Sequence, residues 1–179
     1  MLQEITATTD KNLHTLIKDY AIYNQVANKR IVNWLKTKPV NLLDAEVPSS
    51  FNSLKQTLVH IWQVELSWFA CLQHTSALSP YEKAYSASAD EIFEGLLEQS
   101  EKFADYTLAL EENELKETTH VYIPNVLDCD IPRFELIQMC FDHSTYHRVQ
   151  ITNIARQIGL TDPPITNYMY YLSRERALA

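Results

Sequence analysis

The chain has only two glycines, Gly95 and Gly159, among its 179 residues. Average usage of about 7% would supply roughly a dozen. Strand-rich and α/β folds rely on glycine in turns with a positive φ, so a chain this poor in glycine has few ways to build many tight turns. The scarcity favours long helices joined by a small number of connections.

Four segments carry apolar side chains at the three- and four-residue spacing of amphipathic helices. They cover about residues 10–37, 51–73, 88–110 and 130–158. Pro39 closes the first segment, and Gly159 is suited to end the fourth. Ser88 and Glu91, in the sequence SADE, have the capping-box pattern that begins a helix.

The connection before the fourth helix is long and contains β-favouring residues around Pro124, which predicts a short hairpin. Asp130 is the predicted N-cap of the fourth helix, with Pro132 in its first turn. A short terminal helix, capped by Thr166, is expected after the Pro-Pro bend at residues 163–164. These features predict one all-α domain over residues 1–179: a four-helix bundle with a long crossover before the last long helix and a short C-terminal helix.

Charge and hydropathy exclude several classes of partner. The formal net charge is −8, and no run of Lys and Arg suggests a nucleic-acid surface. No apolar stretch approaches the ~20 residues of a membrane span, and the N-terminus lacks the pattern of a signal peptide. The cysteines, Cys71, Cys129 and Cys140, form no CxxC pair. We therefore expect a protein of the reducing cytoplasm without disulfides.

The segment DHSTYHRVQ places His143 and His147 four positions apart on the fourth helix. Both belong to a seam with the spacing of an inward-facing bundle stripe, made of Leu136, Cys140, His143, His147, Ile151, Ile154 and Ile158. Side chains four apart on a helix meet at about 5–6 Å, so the two imidazoles can bind one ion. The spacing also fits two hydrogen-bonded histidines in the core, because buried polar groups need partners.

His60, on the second helix, is the best candidate for a third ligand. It belongs to a stripe of small and moderately polar residues that leaves room for a pocket: Thr57, His60, Val64, Ser67 and Cys71. His14 lies near a terminus, His74 at a helix end and His120 in the long connection, so these three are less suited.

Four other polar residues near the histidines also have predicted roles. Glu65 interrupts the apolar stripe of the second helix, where it is a candidate catalytic residue that orients a ligand or accepts a proton. The alternative is that it pairs with an arginine or reaches a water-filled cavity. Asn24, inward on the first helix, is either a hydrogen-bond partner near the site or a structural residue. Arg148 and Asp142 lie on other faces of the fourth helix, where a solvated ion pair is expected.

These residues together resemble the DinB family of metal-binding four-helix bundles, which includes bacterial thiol S-transferases. The fourth helix, MCFDHSTYHRVQITNIARQIG, is similar to the closing motif of that family, and TLVHIWQVELSW is similar to the segment with its first metal-binding histidine. The first-helix sequence YNQVANKR and the tail DPPITNYMYYLSRE also look like family sequences. Val26 departs from the pattern, since the family often has Trp there.

The resemblance implies that His60, His143 and His147 are ligands of a divalent metal ion. Three imidazoles suit Zn²⁺ or Ni²⁺ best and also Fe²⁺, and three protein ligands leave a coordination position open. The implied function is a metal-dependent transfer in which a small thiol attacks an electrophile. Metal-dependent hydrolysis and a non-catalytic metal-binding or stress-response bundle are the alternatives. The resemblance, three tryptophans and ten tyrosines also predict a homodimer.

Overall fold

The computed structural model of the protein describes residues 12–75, 86–123 and 125–176. Its long helices are α1 (Leu13–Leu35), α2 (Leu54–Leu72), α3 (Ala89–Ala109) and α5 (Arg133–Gln157). Shorter elements are a 3₁₀ turn (Val40–Asp44), helix α4 (Glu112–Lys116), strands β1 (Thr118–Ile123) and β2 (Leu127–Pro132), and helix α6 (Tyr168–Tyr170), which continues as a π-helical turn (Tyr171–Glu175). The predicted helical bundle is confirmed.

Two apolar clusters, one toward each end of the bundle, show how the long helices run. One contains Leu35, Leu54, Ile92 and Ile154. The other contains Ile17, Leu72, Phe103 and Leu136. α1 and α5 therefore run in one direction, while α2 and α3 run in the opposite direction. No helix within the described ranges is long and apolar enough to cross a membrane.

A layer of buried polar side chains separates the two apolar clusters and receives residues from all four long helices. Each member is at most 2% exposed, and the set is Asn24, Asn28, Glu65, Ser100, Ser144 and Arg148. We call these six residues the polar layer. Because a buried polar group without a partner costs about 1–3 kcal/mol, such a layer is stable only when its members bond to one another.

The long connection before α5 contains both α4 and the predicted hairpin, whose strands pair in antiparallel register from Thr118 opposite Pro132 to Ile123 opposite Leu127. The prediction that Asp130 caps α5 is wrong. Asp130 lies in β2 opposite His120, and Pro132 is the N-cap. Strand pairing extends to the residue before the helix and leaves no separate capping position.

Two other predicted helix ends, at Ser88 and Gly159, are confirmed, whereas α2 begins at Leu54 and not near residue 51. Ser88 Oγ accepts from the Glu91 backbone N–H at 3.3 Å, and Glu91 Oε2 accepts from the Ser88 backbone N–H at 2.7 Å. α5 ends at Gln157, and Gly159 follows its C-cap, where a φ of 88° lets the Leu160 N–H donate to the carbonyl of Ala155 at 2.9 Å. The N-cap of α6 is Asn167 and not Thr166.

Gly95 lies inside α3, where glycine normally weakens a helix by about 0.5–1 kcal/mol relative to alanine. A Cβ atom at this position would lie within 2.6 Å of three atoms of the Trp62 ring. The missing side chain therefore lets the indole of α2 lie directly against α3.

We expect Gly95→Ala to destabilise the protein by about 1–3 kcal/mol, because the methyl group would overpack this contact and outweigh the better helix propensity of alanine. Urea denaturation of the metal-free protein measures the change. Glu94→Ala, at the exposed neighbouring position, is the control and should change the free energy of unfolding by less than about 0.5 kcal/mol. A Gly95→Ala variant as stable as the wild type would contradict the close contact.

Residues 161–176, which we call the C-terminal segment, pack along α1. The Tyr23 hydroxyl donates to the carbonyl of Thr166 at 2.9 Å, and Arg30 Nε donates to the carbonyl of Ile165 at 3.1 Å. The ring of Tyr168 stacks on that of Tyr20 with centroids 4.4 Å apart. These contacts cover the side of α1 that carries Tyr20, Tyr23 and Arg30.

Candidate metal centre

The structure brings together the three histidines that were predicted to converge. His60 extends from α2, whose first turn is capped by the Ser53 side chain, and His143 and His147 extend from α5. The Nε2 atom of His143 lies 3.0 Å from Nε2 of His60 and 3.0 Å from Nε2 of His147. One potential ligand atom from each histidine lies within 4.8 Å of those of the other two, so the three together could hold a metal ion.

The three imidazoles cannot satisfy one another by hydrogen bonding alone. His147 Nδ1 lies 2.8 Å from Gln150 Oε1, which only accepts, so Nδ1 carries the hydrogen and Nε2 presents a lone pair. His143 Nε2 has two nitrogen neighbours and at most one hydrogen to donate. A cation would accept all three lone pairs at once. Bonds of about 2.0–2.1 Å to a tetrahedral ion place ligand nitrogens about 3.3 Å apart, close to the observed separations.

The protonation state of the cluster favours metal binding. Burial, together with the charge that His147 would carry, lowers the pKa of His60 to about 4. Burial and both neighbouring histidines lower the pKa of His143 to about 4. Burial also lowers the pKa of His147, which the hydrogen bond with Gln150 partly opposes. All three imidazoles are therefore neutral near pH 7, which is the form that binds metals.

Aromatic side chains flank the cluster. The ring of Phe51, in the loop before α2, stacks on His60 with centroids 4.2 Å apart and meets His147 edge-on at 5.5 Å. Tyr146 packs against His147 at 5.0 Å and is 60% exposed. His60 and His143 are only half-buried. The cluster therefore lies at the surface end of a polar interior, within reach of solvent and small molecules.

Glu65 lies in the polar layer and is 0% exposed. Its Oε1 atom accepts from Asn24 Nδ2 at 2.8 Å, from Asn28 Nδ2 at 2.9 Å and from Ser144 Oγ at 3.1 Å, while Oε2 accepts from Ser100 Oγ at 2.7 Å. Burial raises the pKa of Glu65, while the hydrogen bonds from Asn24, Ser100 and Ser144 and the charge of Arg148 oppose that rise. None of these four bonds comes from a histidine, so the geometry favours an interior structural role over proton transfer at the cluster.

The prediction of a solvated Arg148 is wrong, since the side chain is 1% exposed. Its Nη1 donates to the amide oxygens of Asn24 and Asn28 at 2.7 and 2.8 Å, and its Nη2 donates to Thr145 Oγ1 at 2.7 Å. Burial lowers its pKa, while the neighbouring Tyr23 and Glu65 oppose that change. The two asparagines thus bridge the guanidinium to the carboxylate of Glu65. Their four-residue spacing on α1 is the sequence signal that could have revealed this pair.

The DinB family profile matches residues 8–177, nearly the whole chain. The chain belongs to the DinB family. It is 30% identical to Protein DinB of Bacillus subtilis (strain 168) over 158 residues, which cover 84% of this chain and 90% of that protein. The resemblance found in the fourth-helix motif is confirmed, and the histidines of that motif are those that the fold of this DinB family member brings together.

Proposed function

We propose that this DinB family protein binds a divalent metal ion through His60, His143 and His147 and activates a small thiol for transfer to an electrophile. The observation that carries the proposal is the convergence of three neutral imidazole nitrogens, two of them 3.0 Å from the third. Imidazole ligands of this kind suit Zn²⁺ and Ni²⁺ best and also accept Fe²⁺.

The number and charge of the ligands support a catalytic use of the ion. Three neutral protein ligands leave one coordination position open and leave the positive charge uncompensated. When bound, such an ion lowers the pKa of a coordinated thiol or water and so supplies a nucleophile at neutral pH. Phe51 and Tyr146 restrict the approach to the cluster from two sides. Family membership favours the thiol over water.

The proposed transfer is a substitution. The sulfur of the thiol forms a bond to an electrophilic carbon, the bond from that carbon to the leaving group breaks, and the leaving group departs with the electron pair. The thiol proton passes to solvent, which reaches the half-buried His60 and His143. Glu65, enclosed in the polar layer, takes no part in this step.

Two measurements test the proposal. Metal analysis of protein purified without an affinity tag should find about one divalent ion per chain. The metal-loaded protein should then convert a panel of small electrophiles only when a low-molecular-weight thiol is present, and His143→Ala should lose the activity while remaining folded. Turnover that is unchanged without thiol would instead establish hydrolysis. Absence of turnover across thiol, electrophile and ester panels would establish a binding protein.

The cellular location, partners and oligomeric state that we propose are those predicted from the sequence. We propose a cytoplasmic protein that acts on small molecules as a homodimer and binds neither nucleic acid nor membranes. The charge of −8 supports the exclusion of nucleic acid. Solution scattering at micromolar concentration tests the homodimer, which a monomeric mass would reject.

A further inference from the structure

We infer that Glu65 and Ser144 are positioning residues, whose hydrogen bond sets the alignment of α2 against α5 and so brings His60 to His143 and His147. The bond joins Ser144 Oγ to Glu65 Oε1 at 3.1 Å, between two side chains that are 0% exposed. The proposed role is to set the positions of the three histidine rings. It rests on the proposed function only in the experiment that uses metal binding to detect those positions.

The cluster requires a precise alignment of two helices. His60 and His143 are 83 residues apart in sequence and belong to different helices, so their contact depends on how α2 and α5 are placed. A helix rises about 1.5 Å per residue, so a shift by one residue moves a ring by half of the 3.0 Å separation. Apolar attraction is non-directional, so it does not by itself specify which polar groups meet. Hydrogen bonds are directional and oppose such shifts.

The polar layer bonds α5 to two other helices at the residue directly after each of its histidines. Ser144 follows His143 and donates to Glu65 of α2. Arg148 follows His147 and donates to the amide oxygens of Asn24 and Asn28 on α1. Each histidine of α5 therefore has a neighbour in the chain that is bonded to another helix.

The donors and acceptors of the layer permit one arrangement. A carboxylate only accepts and a guanidinium only donates, so each asparagine must direct its NH₂ group to Glu65 and its oxygen to Arg148. Shifting α5 would separate the donors Ser144 and Arg148 from their acceptors and leave both sides unpaired in a site closed to water. Such mismatches make an alternative alignment costly.

His143 depends on this alignment more than His147 does. Gln150 orients the ring of His147 through Nδ1. In the described part of the chain, the buried Nδ1 of His143 has no hydrogen-bond partner. The orientation of the His143 ring is therefore set by the backbone of α5 and by its neighbours, and Ser144 is the adjacent residue bonded to α2.

Two serines of the layer form a matched pair for the test. Ser144 and Ser100 are both at most 2% exposed, and both donate to Glu65, at Oε1 and Oε2. Only Ser144 lies on α5, the helix that carries His143 and His147. Ser100, on α3, also accepts from Asn28 Nδ2 at 2.8 Å, so its loss removes more hydrogen bonds. If the polar layer only stabilises the fold, Ser100→Ala should weaken metal binding more than Ser144→Ala does. If the layer positions the histidines, Ser144→Ala should weaken metal binding more.

The experiment titrates each variant with cobalt(II) alone, following the visible absorption spectrum and the dissociation constant by chelator competition. We expect Ser144→Ala to weaken binding by about tenfold or more and to alter the spectrum, as does loss of outer hydrogen bonds around metal ligands. Ser100→Ala should stay within about twofold of the wild type. Equal effects, or a larger effect of Ser100→Ala, would overturn the inference.

A second measurement needs no metal. In ¹H–¹⁵N spectra of the metal-free protein, the imidazole signals of His60 and His143 should shift in Ser144→Ala and stay unchanged in Ser100→Ala. Unchanged signals in both variants would overturn the inference. If the wild type binds no cobalt, the proposed function fails while this second measurement still decides the positioning role.

Discussion

Replacing Arg148 with alanine is expected to destabilise the metal-free protein by about 3–5 kcal/mol, the cost typical of removing one partner of a buried charge pair. The substitution would leave the amide oxygens of Asn24 and Asn28 without their donor and Glu65 without the opposing charge. Urea denaturation monitored by circular dichroism measures the free energy of unfolding.

Arg156→Ala provides the control for Arg148→Ala, because Arg156 is on the same helix but exposed. We expect that variant to lose less than about 1 kcal/mol, the scale of a cation near a helix C-terminus. Arg148→Lys should retain little of the lost stability, since a single ammonium cannot reproduce the forked contacts of the guanidinium. A loss below 1 kcal/mol in Arg148→Ala would contradict the buried network.

Replacing His147 with alanine is expected to abolish stoichiometric metal binding. Two imidazoles would remain, and the loss in affinity should exceed the 10–100-fold effect that is typical of removing an outer partner of a metal ligand. His147 is the most buried of the three histidines, and its hydrogen bond with Gln150 already fixes the lone pair at Nε2. Isothermal titration calorimetry with Zn²⁺ or Ni²⁺ measures the change.

His120→Ala is the matched control for His147→Ala. His120 is an exposed histidine of β1 whose Nδ1 lies 3.1 Å from Asp130 Oδ1. It lies outside the cluster, so its removal should leave metal stoichiometry and affinity unchanged. Full affinity in His147→Ala would remove this residue from the ligand set even if the protein binds metal.

The sequence predicted the helix faces that carry the histidines, because residue spacing within one helix determines which side chains share a face. The spacing of His143 and His147 within an apolar seam fixes the face of α5 on which both lie, and the same reasoning orients His60 on α2. That α2 and α5 are neighbours does not follow from spacing, since Asn24 and Ser100 also place polar side chains on the inner faces of α1 and α3. The prediction that the three histidines converge therefore combined the faces assigned on α2 and α5 with the family resemblance.

Arg148 could not be placed by the same reasoning. It lies one position beyond His147 and therefore about 100° around the helix, where a charged side chain normally reaches solvent. Its burial depends on Asn24 and Asn28, which are 124 and 120 residues away. The predicted cap at Asp130 failed for a related reason, since pairing of β2 with β1 is a non-local interaction that overrides a local capping preference.

The packing of the C-terminal segment on α1 has a consequence for folding kinetics. Helical bundles fold quickly because most of their contacts join residues close in sequence. Here Tyr23 bonds to Thr166 across 143 residues, and Arg30 bonds to Ile165 across 135. Closing so long a loop is entropically costly until the helices between have assembled. Docking of the segment is therefore expected late in folding, and the tyrosines of α1 that it covers should be the last aromatic side chains to leave water.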